Sequence, residues 1–326
     1  MKKFRLIMFD LFFIVSGIVG VGFATGKEIE HFFLSGKSLW LALCVFFVVF
    51  VGLSMYILHI KNKHRITNLA RLNMFAFGKY CEVGNILLLI LFLITNAAML
   101  AGCDNIVKNY LGLSFPLASL ILTIITFFII NGGVERIKRI ANIVMPILII
   151  AIIINACFNF GTATTYTGSI GTDVIFPIIF CCENFMTIIP VLINSKSKVK
   201  PLSLLSGVVI SVAILFSALA IYGVDADMPM LSVAKNLGNW FFVVYLFGVL
   251  FALFTTLQIS AHSCLEITAK SKRNKIFISL VILIASQIIA YLGFNFIVKY
   301  LYSAIGIMGG VYLVALVFRL IIVDKK

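Results

Sequence analysis

The stretch SGIVGVGFATGKEIEHFF, Ser16 to Phe33, lies inside the first hydrophobic run of the chain and carries glycine at 17, 20, 22 and 26. Each glycine weakens a helix by about 1 kcal/mol relative to alanine. Such residues waste stability in a plain lipid-facing helix. They are useful where the helix unwinds at mid-membrane and turns bare backbone toward a bound solute. Half-helix ends then aim N–H and C=O dipoles at charge. The competing reading is close helix packing, which small residues also permit.

Outward from this stretch the chain stays apolar: 62% of its 326 residues are hydrophobic and 12% charged, whereas globular chains average ~25% charged. Runs near 20 residues, each able to cross a hydrocarbon layer of ~30 Å, fall at 6–34, 38–60, 83–106, 115–132, 138–158, 173–194, 202–223, 238–261, 276–294 and 297–323. The short alternating segments of a barrel are absent. The expectation is an all-α polytopic membrane protein with ten transmembrane helices, forming one transmembrane domain over 1–326.

The formal charge of +14 would suit a nucleic-acid binder, but 21 of the 26 basic residues cluster on alternate connections, leaving Lys27, Lys37, Lys108, Lys235 and Lys299 on the other side. That asymmetry predicts a multi-pass protein of the cell membrane with both termini cytoplasmic. The expected partners are the lipid bilayer and a small-molecule solute, not nucleic acid. The opening MKKFRLIMFDLFFIVSG imitates a secretory signal, yet Asp10 interrupts it and cleavage would orphan the glycine-rich segment. Seven cysteines without CxxC spacing and four histidines without an i, i+4 pair offer neither a disulfide framework nor a metal-hydrolase site. No enzyme and no cofactor are expected. Without a GxxxxGK[ST] loop for ATP, energy has to come from an ion gradient.

Five spans precede the connection 160–173 and five follow it, so the second half must start from the opposite face. The expected inverted repeats are 6–158 and 173–323, with a solute site near the midplane on interrupted helices in corresponding positions. Gly17–Gly22 lies about 17–24 Å into span one and FCCEN, 180–184, about 10–17 Å into span six, at ~1.5 Å per residue. Breaks in both spans are therefore expected to meet.

The sequence GIVGVGFATGKEIEHFF resembles the opening of the YkvI family of bacterial membrane proteins, and GVG in a broken first helix is similar to the wider amino acid–polyamine–organocation superfamily. The resemblance covers all ten spans; outside span one it rests on topology, the EN of span six and the TT of span eight. It implies a LeuT-like five-plus-five inverted repeat with broken helices 1 and 6. The implied activity is secondary transport, by alternating access, of a small polar, amino-acid-like solute. Carried over by position, it implies that Gly20, Val21 and Gly22 offer N–H groups to an anionic substrate group beside the Ile18 carbonyl. A sodium ion would be held by the carbonyls of Ser16, Val19 and Ala252 and the hydroxyls of Thr255 and Thr256, a cage suited to a cation that must leave again. Span six departs from the pattern, with no glycine at its break, only Phe180, Cys181, Cys182, Glu183 and Asn184 between Pro177 and Pro190. Of these, Phe180, Cys181, Glu183 and Asn184 are the expected substrate contacts.

Glu183 is the most informative single residue, because an acid at the bilayer centre costs ~2.5–3.5 kcal/mol even on the lenient insertion scale. It either binds a substrate amine or carries a coupling proton; sodium is the first choice of coupling ion and the proton the second. Asn184 suits a substrate hydrogen bond, and Asn96 in span three forms a third wall. Asn142, Asn155 and Gln287 read as interhelical glue. Asp10 either lines an inward vestibule or pairs with basic residues. Glu28 either guards the outer mouth or belongs to a solvated helix end, and residues 61–80 suggest an interfacial helix. The rival to transport is a ligand-sensing receptor subunit of the spore-germination type, which Thr255 and Thr256 disfavour.

Overall fold

A computed structural model describes residues 2–112, 116–130, 134–159, 168–195, 197, 199–268 and 272–324, and every regular element among them is helical. The connection at 160–167 and Lys196, Lys198, Lys270, Lys325 and Lys326, which entered the repeat and charge arguments, lie outside the described residues. The first span comprises α1 (Lys2–Ile18), α2 (Val21–Thr25) and α3 (Lys27–Phe33). There follow α4 (Leu39–Lys63), α5 (Leu69–Phe77), α6 (Cys81–Leu111), α7 (Leu117–Ile130), α8 (Val134–Phe158), α9 (Ile170–Asn194) and α10 (Val199–Ile221). The chain closes with α11 (Pro229–Asn236), α12 (Asn239–Thr268), α13 (Lys272–Ala290), α14 (Phe294–Phe296), a π-helical stretch (Ile297–Leu301) and α15 (Tyr302–Asp324).

Among the described residues, seven helices are long and apolar enough to cross a membrane, and Leu6–Ile18, Leu117–Ile130 and Asn274–Ala290 are shorter apolar helices. Large apolar side chains face outward, Phe128, Ile143 and Phe247 among them, as a lipid-facing surface requires. Helix starts follow local chemistry: the side chains of Ser38, Asn68 and Ser169 accept from Leu41, Arg71 and Thr172 N–H respectively. The interfacial helix expected within 61–80 is narrowed to α5, since α4 runs on through Lys63.

The first span breaks as its glycines predict. α1 stops at Ile18, Gly20 is extended at φ −89°, ψ −163°, and Gly26 at φ 86° joins α2 to α3. At a positive φ of that size a Cβ would be strained, so glycine is needed there. The expected break in span six is not found: α9 is one helix from Ile170 to Asn194, with Pro177 and Pro190 inside it. Its own side chains occupy carbonyls along this stretch, with Asn184 Nδ2 donating to Phe180 O at 3.0 Å, Thr187 Oγ1 to Asn184 O at 2.7 Å and Asn194 Nδ2 to Pro190 O at 2.9 Å. Lacking a glycine where the break was expected, the stretch 180–184 stays helical between the two prolines.

The helix α9 lies between α4 and α15, while α12 packs on α6 and α8. A Cβ on Gly309 would stand 2.8 Å from the Cys182 carbonyl oxygen, so α15 approaches α9 backbone to backbone. The polar residues read as glue bridge helices: Asn142 Nδ2 donates to Phe9 O at 3.0 Å, Asn155 Nδ2 to Met230 O at 3.1 Å and Gln287 Nε2 to Ser119 Oγ at 2.7 Å.

Candidate functional site

Unwinding at Val19 and Gly20 leaves carbonyls of the last turn of α1 open to partners from other helices. Thr256 Oγ1 of α12 donates to Ser16 O at 2.9 Å, and Thr187 Oγ1 of α9 donates to Gly17 O at 2.8 Å. Thr255 Oγ1 instead donates to Ala252 O of its own helix at 2.9 Å. Of the five oxygens expected around sodium, Ser16 and Thr256 thus meet across the helix interface. Thr255 and Ala252 satisfy each other, and Val19 is buried beside the break. A hydroxyl-and-carbonyl set of this kind fits a hard cation that is bound and released.

Asn96 of α6 borders this corner. Its Oδ1 accepts the Ser260 hydroxyl, which also lies 2.9 Å from Thr256 O, and Met99 one turn on packs against Gly20. The buried Asn96 Nδ2 has no hydrogen-bond partner. A buried donor of this type is stabilised by any acceptor brought to it. At the break itself Gly20 N–H donates to Ile18 O at 2.8 Å. These two expected ligand groups therefore occupy each other, and Val21 and Gly22 are the expected backbone donors that remain.

The other side of the break is acidic. The turn at Gly26 swings α3 so that Glu28, 3% exposed, lays its carboxylate over Gly22, where a Cβ would overlap it. Glu28 is therefore a buried residue of the site and not a guard of the outer mouth. Glu183 on α9 is 4% exposed, accepts Asn184 Nδ2 at 2.8 Å and lies within electrostatic reach of Glu28. Tyr302, 1% exposed at the start of α15, lies within reach of both carboxylates. Among the described residues no lysine, arginine or histidine pairs with either acid. Phe180 turns to an aromatic cluster with Phe32, Phe33 and Phe46 at ring distances of 5.5, 5.2 and 5.7 Å, and Cys181 is fully buried among apolar neighbours. Both belong to the apolar core.

The two faces of the bundle differ in access. On the face away from the basic clusters, a cavity of about 360 Å³ is lined by Lys27, Glu30, His31, Ser35, Asn295 and Lys299. On the basic face, the space between Phe13, Pro190, Asn194, His262 and Glu266 measures about 10 Å³, little more than one water probe. There Asp10, 1% exposed, pairs with Lys138 and accepts Ser195 Oγ at 2.9 Å, Ser197 N at 3.0 Å and Ser197 Oγ at 2.6 Å. Lys61 Nζ donates to the Ser195 carbonyl and to Leu192 O at 3.3 Å. Lys138 also stands over the rings of Phe9 and Phe13, 5.4 and 5.6 Å from their centroids. Asp10 thus has basic partners, as one of its two readings expected, and α1, α4, α8 and the end of α9 are tied together.

No protein-family model matches the chain. It is 23% identical over 346 aligned residues to the uncharacterized membrane protein YkvI of Bacillus subtilis (strain 168), with 94% of each chain covered. It is also 24% identical over 194 residues to the uncharacterized protein YyaD of the same organism, covering 58% of this chain and 56% of that one. Among solved structures, it matches Mhp1, a nucleobase-cation-symport-1 family transporter, in a closed conformation with bromovinylhydantoin bound. The TM-score is 0.61 at 14% identity, over 94% of this chain and 76% of that chain. The likeness to YkvI runs along the whole sequence, and the likeness to Mhp1 is one of fold.

Proposed function

We propose that the chain is an ion-coupled secondary transporter that moves a small polar, amino-acid-like solute across the cell membrane by alternating access. The observation that carries this reading is the interruption of the first span at Val19–Gly20. It lies beside buried polar groups from three other helices: Asn96, Thr256, and the pair Glu183 and Asn184. Irregular backbone at membrane depth is tolerated only where it is buried in protein or lines a cavity, and transporters place their solute sites on such breaks.

The helix contacts support a five-plus-five repeat of ten spans. The first span packs on α8 and α10 as α9 packs on α15 and α4, and α6 packs on α7 as α12 packs on α13. The basic face is assigned to the cytoplasm by its charge. The cavity beside Lys27 and Lys299 then opens outward, and the Asp10 network closes the inner side. Sodium held at Ser16, Val19, Ala252, Thr255 and Thr256 is the first candidate for coupling, with a proton on Glu183 as the second. Val21 and Gly22 N–H, Asn96, Glu183 and Asn184 would contact the solute.

The test is a thermal-shift screen of the purified full chain against amino acids and small amines, in sodium or choline chloride, followed by uptake of each hit into proteoliposomes under a sodium or proton gradient. Gradient-driven accumulation of a hit is expected. A hit that stabilises the protein but is never accumulated would refute transport.

A further inference from the structure

The acid pair has no role in sodium binding and is poorly suited to a zwitterion, since a carboxylate brought to Val21 and Gly22 N–H would meet Glu28. We propose that Glu28, Glu183 and Tyr302 form one cation site, which takes the ammonium group of a small organic amine in exchange for a proton. The proposal rests on the transporter reading for treating that amine as cargo, and it narrows the cargo from amino-acid-like solutes to amines with net positive charge.

Three observations carry it. Glu28 is 3% exposed, and among the described residues nothing donates to its carboxylate and only Asn184 donates to Glu183. Tyr302, from a third helix and 1% exposed, lies within electrostatic reach of both acids, and among the described residues its hydroxyl makes no hydrogen bond. Neither carboxylate has a basic partner among the described residues. Buried polar groups are normally bonded and buried charges paired, so three open acceptors from three helices point to a ligand that supplies donors and positive charge. An ammonium group has three N–H donors and no acceptor, which matches two carboxylates and one phenol oxygen. A hard divalent ion fits less well, because calcium takes about 6–8 oxygen ligands and no described group gathers three His, Cys, Asp or Glu side chains.

Two neighbouring carboxylates in a dry site cannot both stay ionised without a counter-charge. The ligand-free pair therefore holds a proton. When R–NH₃⁺ settles between the acids, that proton leaves to solvent, one positive charge arriving as one departs. The titratable groups facing the exchange are Glu28 from α3, Glu183 from α9 and Tyr302 from α15, with Cys181 and Cys182 adjacent to Glu183 along α9.

The experiment is titration calorimetry of the full chain in detergent with butylamine, putrescine, alanine and butyrate, in phosphate and in HEPES, which carry no primary amine and whose unlike ionisation enthalpies report proton release. Butylamine or putrescine should bind and release a proton, with alanine about tenfold weaker or worse and butyrate silent. Glu28→Gln and Glu183→Gln should each lower amine affinity about a hundredfold and abolish proton release, and Tyr302→Phe should lower it about tenfold. Should a Gln variant fail to fold, Gly22→Ala serves instead, since its methyl displaces the Glu28 carboxylate while both acids remain in the chain. Failure of both amines to bind, amine binding without proton release, or folded variants that bind like the parent would overturn the site. Uptake of a zwitterion indifferent to Glu28→Gln would also overturn it while leaving transport standing. Amine binding that never drives uptake would support the site and refute transport.

Discussion

Replacing Lys138 with methionine should unlock the basic face. In the structure the Asp10 carboxylate is 1% exposed and holds Lys138 together with Ser195 and Ser197. Taking away the ammonium leaves the buried carboxylate without its paired cation while Lys61 stays within electrostatic reach, so the cost is about 3–4 kcal/mol, the lower part of the range for a broken buried pair. That cost falls on the closed arrangement alone, because an opened face lets Asp10 reach water. At about 1.36 kcal/mol per decade, the open population rises between about a hundredfold and a thousandfold. Hydrogen exchange by mass spectrometry reads this directly: the Ser197 amide, bonded to Asp10 at 3.0 Å, and the first turns of α10 should lose about two to three decades of protection. The double change Asp10→Asn with Lys138→Met removes both charges and keeps the serine contacts, so most protection should return. Parental protection in the folded single variant, or a double variant as open as the single one, would refute the argument.

Three further outcomes follow from named contacts. Thr256→Val strands the Ser16 carbonyl and should lower stability in choline chloride by about 1–3 kcal/mol, while Thr255→Val, which loses only a bond within its own helix, should lower it less. Thermal unfolding ranks the two, and sodium-dependent stabilisation should vanish in Thr256→Val. Gly102→Ala places a methyl 2.5 Å from Val21 Cγ2 and should destabilise by about 1–3 kcal/mol; adding Val21→Ala should restore most of the loss, and a double variant no more stable than the single would show that the clash lies elsewhere. Phe180→Ala opens a cavity among Phe32, Phe33 and Phe46 and should cost about 3–5 kcal/mol in unfolding experiments; a loss below about 1 kcal/mol would mean that the four rings are not tightly packed.

The helices and the first break were legible because their signals are local. Apolar runs of membrane length, capping residues such as Ser38, and a glycine at Gly26 all act within a few residues. The continuity of α9 was not legible. Pro177 and Pro190 argue for interruption when read alone, and the backing that α15 gives α9 at Gly309 comes from more than a hundred residues away. Glu28 reads as a mouth guard or a solvated helix end because nothing in KEIEH shows that the joint before it turns the carboxylate back over Gly22. Tyr302 carried no signal, since its aim is set by the π-helical stretch that precedes it. One clue was available: Glu28 stands six residues after Gly22, on a segment already suspected of folding around a ligand.

An unbroken α9 beside a twice-jointed first span makes the two halves mechanically unequal. The long helix is continuous and braced by α4 and α15. The small piece α2 is a swivel with one joint at Gly20 and another at Gly26, steadied by the Tyr245 hydroxyl on Ala24 O at 2.8 Å. A helix of five residues has few internal bonds to lose, so it can turn cheaply without dragging the tethered inner end of α1. Under the proposed function, recognition and closure would then be housed in separate parts of one span, so that changes at residues 19–26 would retune the choice of solute while the Asp10 network stayed intact.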